Sequence, residues 1–326
     1  MNPQSLFTGQ LGIEVPLICG PMYPCSNPEL VAAVSEAGGI GVVQPLSLTY
    51  VHGHDYREGL RLIRRLTSKP IGFNALIEAS SKTYMDRMTR WVDISLEEGI
   101  RFFITSLGNP KWVCEKVHAV GGVVYHDVTE RKWAQKGLDG GADGLIAVNN
   151  RAGGHAGRLS PRELFDELAP LGAPLVSAGG VGTAKEFVEQ LAIGYAAVQL
   201  GTRFIAATEC SASDAYKRAI VEADERDITL TERLTGVPVS VINSAYIRGL
   251  GTAAGPFARW MLKGHKTKHW MRTWYALSSL RRLKAGLKKN DGAGEYWQAG
   301  KSVAGITGVR GAGEIVREFA AAWCRP

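Results

Sequence analysis

The sequence predicts an α/β chain built on a (β/α)8 TIM barrel with a helical insertion or second subdomain after strand 8, and three observations predict it. Eight short runs rich in Val and Ile are nearly unbroken rather than alternating, as parallel strands covered on both faces require. Amphipathic stretches of helical period separate these runs. Gly, Pro, Asp or Thr stands at most of the joints, where turns and helix caps need them. An open doubly wound sheet shares this alternation, but a count of eight closes naturally into a barrel.

Taken in order, the strand runs are residues 16–22, 39–44, 70–77, 101–106, 122–127, 142–149, 174–178 and 196–201. The first helix, 28–37, opens on Pro28 behind Asn27, and the second, 55–66, opens on Asp55. Helices at 83–98 and 110–120 follow the third and fourth runs. Thr129, Ser160 and Thr183 are read as caps of the helices at 129–138, 161–168 and 183–191. Past Phe204 the alternation stops. A helix is expected at 213–223, an extended arm at 235–243, a basic Trp-containing helix at 257–289, a turn at 291–294 and a last helix at 313–323. The expected division is a barrel over 1–204, a helical insertion over 205–300 lying over the barrel mouth, and a closing segment, 301–326, that packs back on the barrel.

Composition narrows the class. With 45% apolar and 21% charged residues, the 326-residue chain is neither disordered nor fibrous. No apolar run approaches the roughly 18–20 residues of a membrane span. The opening Met1-Asn2-Pro3-Gln4-Ser5 lacks a basic region followed by an apolar one, so no secretory signal is expected. Five cysteines (19, 25, 114, 210 and 324) form no C-x-x-C pair, which fits reduced thiols in a cytoplasm. Gly accounts for 39 residues, well above the usual share of about 7%. The net charge of +7 is a local matter: residues 259–289 hold ten Lys and Arg and no acid, and the remaining 28 cations face 31 acids.

In a barrel the loops after strands 7 and 8 are where a phosphate is held. Here they read Ser177-Ala178-Gly179-Gly180-Val181-Gly182 and Gln199-Leu200-Gly201-Thr202-Arg203-Phe204. Both put glycine where a backbone N–H must approach an anion, and Ser177 and Thr202 each add a hydroxyl. The two loops lie one α/β unit apart and are therefore neighbours in space. The loop after strand 6 places His155 amid Gly153, Gly154 and Gly157, where an imidazole can transfer protons at neutral pH or simply stiffen the loop. His126 ends strand 5 and is expected to point into the same mouth, as a cofactor contact or a support.

Together, Gly20-Pro21-Met22, residues 36–41 (Glu-Ala-Gly-Gly-Ile-Gly), Gly72-Phe73-Asn74, Gly153-Gly154-His155-Ala156-Gly157, Ala178-Gly179-Gly180-Val181 and residues 199–204 resemble the nitronate monooxygenase (2-nitropropane dioxygenase-like) family. Residues 297–303 (Trp-Gln-Ala-Gly-Lys-Ser-Val) resemble its C-terminal pattern. Flavin-dependent enoyl-acyl-carrier-protein reductases and NAD(P)H:quinone reductases share these motifs. The resemblance implies FMN in a TIM barrel. Pro21 and Met22 would lie against the flavin ring and Asn74 would bond its polar edge. Gly179, Gly180, Gly201 and Thr202 would hold the phosphate, with Ser177, Gln199, Gly154 and His126 also lining the cofactor. His155 would be the catalytic histidine, acting on a nitroalkane or orienting its nitronate. The implied activity is oxidation of alkyl nitronates, propionate 3-nitronate for example, with O2; the alternative is NAD(P)H-dependent reduction of a quinone or enoyl thioester. Two departures bear on substrate: Asn149-Asn150-Arg151 stands where many relatives carry an acid, and His126 where some carry lysine.

Other signals are weaker. Residues 249–254 match G-x-G-x-x-A, but no Asp or Glu occurs between Glu232 and Asp291 to bind a ribose. His265 and His269, like His52 and His54, lack a third ligand, so no metal site is expected, and Cys19 and Cys25 are read as buried thiols. The basic segment, with Trp260, Trp270 and Trp274 among its cations, reads as an amphipathic helix, as a site for an anionic nucleotide or phosphopantetheine, or as a surface for anionic lipid or polymer. The partners expected are a small-molecule substrate and O2, with NAD(P)H in the alternative reading, no nucleic acid, and a homodimer as the candidate assembly.

Overall fold

Each of the eight Val/Ile-rich runs forms one strand in the computed structural model, which describes residues 3–78, 81–233, 237–252 and 296–324. In chain order these are β1 (Leu17–Cys19), β2 (Ile40–Val43), β3 (Ile71–Ile77), β4 (Phe102–Leu107), β5 (Val123–Val128), β6 (Gly144–Val148), β7 (Leu175–Ala178) and β8 (Ala197–Leu200). All neighbours are parallel and β8 returns to β1, so the sheet is a closed (β/α)8 barrel.

Side-chain parity explains the unbroken apolar runs. Ile18, Ile40, Val42, Phe102, Ile104, Tyr125, Ile146 and Val176 fill the interior. Their alternates, such as Phe73, Phe103, Val124, Leu145 and Val198, pack outward under the helices. Gly144 makes room for the Tyr125 ring, which would lie only 2.4 Å from a Cβ at that position.

Helices α2 (Pro28–Glu36), α3 (Tyr56–Leu66), α4 (Lys82–Glu97), α5 (Lys111–His118), α6 (Arg131–Asp139), α7 (Pro161–Leu168) and α8 (Ala184–Ile193) form the outer ring. Ser160 and Thr183 close reciprocal capping boxes with Glu163 and Glu186, and the Asp55 side chain accepts from the Arg57 and Glu58 N–H groups. Thr129 does not cap α6: that helix starts two residues later, with Glu130 at the capping position. Asn27 precedes α2 without capping it by a side-chain hydrogen bond. Its amide instead donates to Glu209 O at 2.8 Å and accepts from Ser211 N at 3.1 Å, tying the β1 loop to the chain beyond β8.

The sequence reading contains no helix before the first strand, yet α1 (Pro3–Leu11) closes the lower end of the barrel. Phe7 is 1% exposed and meets the rings of Phe102 and Tyr125 edge-on at centroid distances of 6.4 and 5.6 Å. Gln4 holds the helix in place by donating to Tyr195 O at 2.7 Å.

After β8 come a short helix α9 (Thr202–Ile205), α10 (Asp214–Glu222), an antiparallel hairpin of β9 (Ile228–Thr231) and β10 (Val239–Ile242), and α11 (Ala245–Leu250). The extended arm expected at 235–243 is thus one arm of a hairpin. The expected helix at 257–289 and turn at 291–294 lie outside the described residues. The last helix, α12 (Ala312–Trp323), packs between α2 and α8, with Phe319 against Phe187 at 5.4 Å. It occupies the place of the barrel's eighth outer helix, which the intervening hundred residues separate from its strand. None of the described helices is long and apolar enough to cross a membrane.

Phe7→Ala should lower unfolding free energy by about 3–5 kcal/mol, the cost of an unfilled aromatic site in a packed interior. Urea denaturation checks this; a loss below about 1 kcal/mol would show that α1 does not close the barrel.

Candidate active site

The glycine turns after β7 and β8 meet because of strand register. Ala178 pairs with Gln199 and Cys19 with Leu200, so two further residues bring Gly180 beside Gly201, and one further residue brings Gly20 beside Gly201. Gly179 and Gly180 have φ of +116° and +83°, a region that L side chains rarely adopt. The N–H groups of Gly179, Gly180 and Gly201 donate to no backbone carbonyl among the described residues. Thr202, 7% exposed, accepts from Gly300 N–H at 3.0 Å and keeps its own hydroxyl hydrogen to donate. The N-terminus of α8 adds no anion site, because Glu186 Oε2 already accepts from Gly182 N–H at 2.8 Å and Thr183 N–H at 3.0 Å.

The neighbouring loops are pinned to these turns. Asn149, fully buried, donates to Gly179 O at 3.0 Å and accepts from Arg151 N–H at 2.9 Å. The Arg151 stem crosses Gly180, its Nε lying 2.6 Å from where a Cβ would be. The guanidinium then makes a two-point ion pair with Glu225 at 3.0 and 2.9 Å, and Lys301 Nζ reaches the same carboxylate at 3.2 Å. Burial alone would raise the Glu225 carboxyl; the bonds from Arg151 and Lys301 hold it below its ordinary range.

His155 is exposed on the β6–α7 loop. That loop is fixed on both sides: Gly154 forms a bridge with Ser240 of β10, and Gly157 N–H donates to Asn149 O at 3.1 Å. The hairpin of the insertion therefore sets the height of the histidine above the barrel. Met22 belongs to the β1 loop, where Ser26 Oγ accepts from its N–H at 2.9 Å and Ser47 Oγ donates to its carbonyl at 3.3 Å. Its sulfur lies 3.6 Å from a Cβ built on Gly201, so Met22 and the half-buried Pro21 flank the paired turns. Asn74 is buried and faces inward, with a long bond to Ile104 O at 3.5 Å. Gln199 also faces inward, beside Gly20, and its Oε1 is buried with no hydrogen-bond partner.

Two expected site residues point the other way. Ser177 lies on the outward face of β7 and donates to Gln190 of α8 at 2.8 Å, so its hydroxyl is not offered at the mouth. His126 also faces outward: its ring lies against Gly137 of α6, and its Nδ1 is 2.8 Å from Thr105 Oγ1. Burial pushes this imidazole down to about 4, with a hydrogen bond to the Thr105 backbone opposing only in part. The inward residue at the end of β5 is its neighbour Asp127, whose Oδ1 is buried and unpartnered and whose carboxyl burial pushes up to about 7. Gln44, also at the mouth, was likewise not singled out from the sequence; its Oε1 accepts from Ser47 N–H at 2.7 Å. Counting by twos from Tyr125, an interior residue, would have found Asp127.

The mouth is therefore a polar ring over an apolar plug, open beside two uncapped glycine turns. Over residues 4–321 the chain matches the family model described as nitronate monooxygenase. The chain belongs to the nitronate monooxygenase family. Membership makes it an oxidoreductase. It is 27% identical to a Staphylococcus saprophyticus protein named "Probable nitronate monooxygenase", covering 76% of this chain and 81% of that one. It is 28% identical to the Mycobacterium tuberculosis (3aS,4S,5R,7aS)-5-hydroxy-7a-methyl-1-oxo-octahydro-1H-indene-4-carboxyl-CoA dehydrogenase, covering 79% of this chain and 72% of that one. Among solved structures, FabK from Thermotoga maritima is similar at 27% identity and a TM-score of 0.76, covering 98% of this chain and 95% of that one. Nitroalkane oxidase from Streptomyces ansochromogenes shares the fold, with a TM-score of 0.77 at 23% identity and 97% of each chain covered.

The Asp127 carboxyl gives a pH test with a definite sign. Between the ordinary aspartate value of about 4 and the folded value of about 7, the native state holds a proton that the unfolded chain has released. Stability conferred by this group is therefore present in acid and lost as pH rises to about 7. The stability difference between wild type and Asp127→Asn should change across pH 4–7 in that direction, by at most about 1.4 kcal/mol per pH unit, and level off above it. Urea unfolding of both proteins at each pH would contradict it by giving a constant difference.

Proposed function

We propose that the barrel mouth binds FMN and that the protein oxidises alkyl nitronates with O2, as a nitronate monooxygenase; propionate 3-nitronate is the type of substrate intended. The observation that carries this reading is the pair of glycine turns, Gly179-Gly180 and Gly201-Thr202, with N–H groups that no backbone carbonyl among the described residues takes up. The residues fit a phosphate there, since any side chain at Gly180 would collide with Arg151 and any at Gly201 would narrow the gap to Met22. The buried, unpartnered Oε1 of Gln199 fits the hydrogen-bonding edge of a heterocycle. Gly179, Gly180, Gly201 and Thr202 would hold the phosphate, Pro21 and Met22 would flank the ring, and Asn74 and Gln199 would bond its polar edge. Ser177 and His126, turned outward, have no part in it. FMN when bound supplies electron transfer and reaction with O2. His155 would take a proton from a neutral nitroalkane or orient the nitronate oxygens, at a height fixed by the Gly154–Ser240 bridge. Reduced thiols at Cys19, Cys25, Cys114 and Cys210 fit a cytoplasmic enzyme.

One observation favours a second reading, NAD(P)H-dependent reduction of a quinone or enoyl thioester: the ten cations without an acid at 259–289 match a polyphosphate-bearing molecule such as a dinucleotide or CoA. Anaerobic stopped-flow separates the two. Rapid bleaching of FMN absorbance by ethylnitronate, with none by NADH or NADPH, is the expected result; the reverse would establish the reductase. His155→Ala should retain FMN and lose turnover of neutral nitroalkanes by about 10²–10⁴. Recovery of the variant as apoprotein would make the histidine structural.

Gly201→Ala tests the cradle. The added methyl meets only the Met22 side chain, at 3.6 and 3.8 Å, in ordinary contact, so the fold should melt as wild type does. FMN affinity, read by fluorescence quenching, should fall at least about tenfold, or ~1.4 kcal/mol. Unchanged affinity would remove the phosphate from this turn.

A further inference from the structure

Asp127 is set apart from the other polar side chains of the mouth. Tyr125, two residues earlier on β5, fills the interior, so Asp127 faces the same way one layer higher. Ile146 of β6 is in register with it, and Ser106 of β4 follows one residue beyond the Thr105–His126 pair. The remaining inward positions at this end are Gln44, Asn74, Val148, Ala178 and Gln199, and none of these ionises. The loops around the mouth carry Tyr23 after β1, His52 and His54 after β2, Glu78 after β3, Glu130 after β5, His155 and Arg158 after β6, and the Arg151–Glu225–Lys301 cluster. Asp127 thus has no cation on the strands beside it, and its Oδ1 is buried without a hydrogen-bond donor. A carboxylate so placed is costly, whereas a carboxylic acid needs only an acceptor for its hydrogen. An occupant of the mouth can supply that acceptor.

We propose that Asp127 is a substrate-recognition residue, held as the neutral acid, which donates its hydrogen to an oxygen of an anionic nitronate bound at the barrel mouth. The inference rests on the nitronate reading given above. The same group discriminates by charge: the acid accepts an anion and the carboxylate repels it. Burial, the cause of its raised titration to about 7, places the changeover at neutral pH. Anion affinity should accordingly be constant in mild acid and fall about tenfold per pH unit above that point.

Nitrate is a suitable probe, because it is planar, carries nitronate-like O–N–O oxygens and stays anionic throughout. It would be titrated into FMN-loaded holoprotein between pH 5.5 and 8.5, with the change in the FMN visible spectrum as the readout. Wild type should lose affinity above neutral pH, and His155→Gln, weaker in nitrate binding throughout because it lacks the orienting imidazole, should keep the same dependence on pH. Asp127→Asn, which still donates from its amide, should bind within about threefold of wild type at pH 6 and show no pH dependence. Asp127→Leu should bind weakly throughout. Thermal melting and FMN content establish that each variant is folded and loaded. Persistence of the pH dependence in Asp127→Asn, its disappearance in His155→Gln, or absence of any nitrate response in wild type would overturn the proposal while leaving the FMN reading standing. A wild-type protein that does not retain FMN would overturn both.

Discussion

The parallel register of β7, β8 and β1 is the constraint on which the rest of the mouth depends. It brings two glycine turns side by side at the carboxyl end of adjacent strands, and glycine is required there by both conformation and space. Three N–H groups that no backbone carbonyl among the described residues takes up lie together there, as an anion-binding turn requires. The surrounding elements serve that arrangement. Asn149 clamps the β6 loop to Gly179, Arg151 lies across Gly180, and the strip at Ala299–Lys301 threads between the β6 loop and Thr202.

The second organising feature is the division of each strand by parity. Interior positions are apolar through the lower layers and turn polar only at the top, with Gln44, Asn74, Ser106, Asp127 and Gln199. Water is excluded from below by α1 and the aromatic cluster of Phe7, Phe102 and Tyr125. The charge state of a group in that ring is consequently decided by burial rather than by neighbours, as the single cause acting on Asp127 illustrates. The insertion after β8 supplies what the barrel alone lacks: a hairpin that holds the histidine loop and a carboxylate, Glu225, that steers Arg151.

Much of this was legible in the sequence for physical reasons. Strands buried on both faces leave runs such as 142–149 that no loop would carry, and Ser160 and Thr183 announce their helices through capping chemistry. What escaped reading lacked a local signal. In α1 only Gln4, Phe7 and Leu11 are buried, so no long apolar stripe marks it. β9 is a four-residue strand whose pairing depends on a partner eight or more residues away. The status of α12 as the eighth outer helix follows from packing on α2 and α8, not from its composition. The orientations of Ser177 and His126 were open to a parity count, but the count needs one residue of known direction, and only the packed interior supplies it.

A crystal structure of the protein with FMN is the measurement that bears most directly on the central claim. Phosphate oxygens are expected within hydrogen-bond distance of the Gly180 and Gly201 N–H groups and the Thr202 hydroxyl. Phosphate density anywhere else on the barrel, with those N–H groups still unmet, would contradict it.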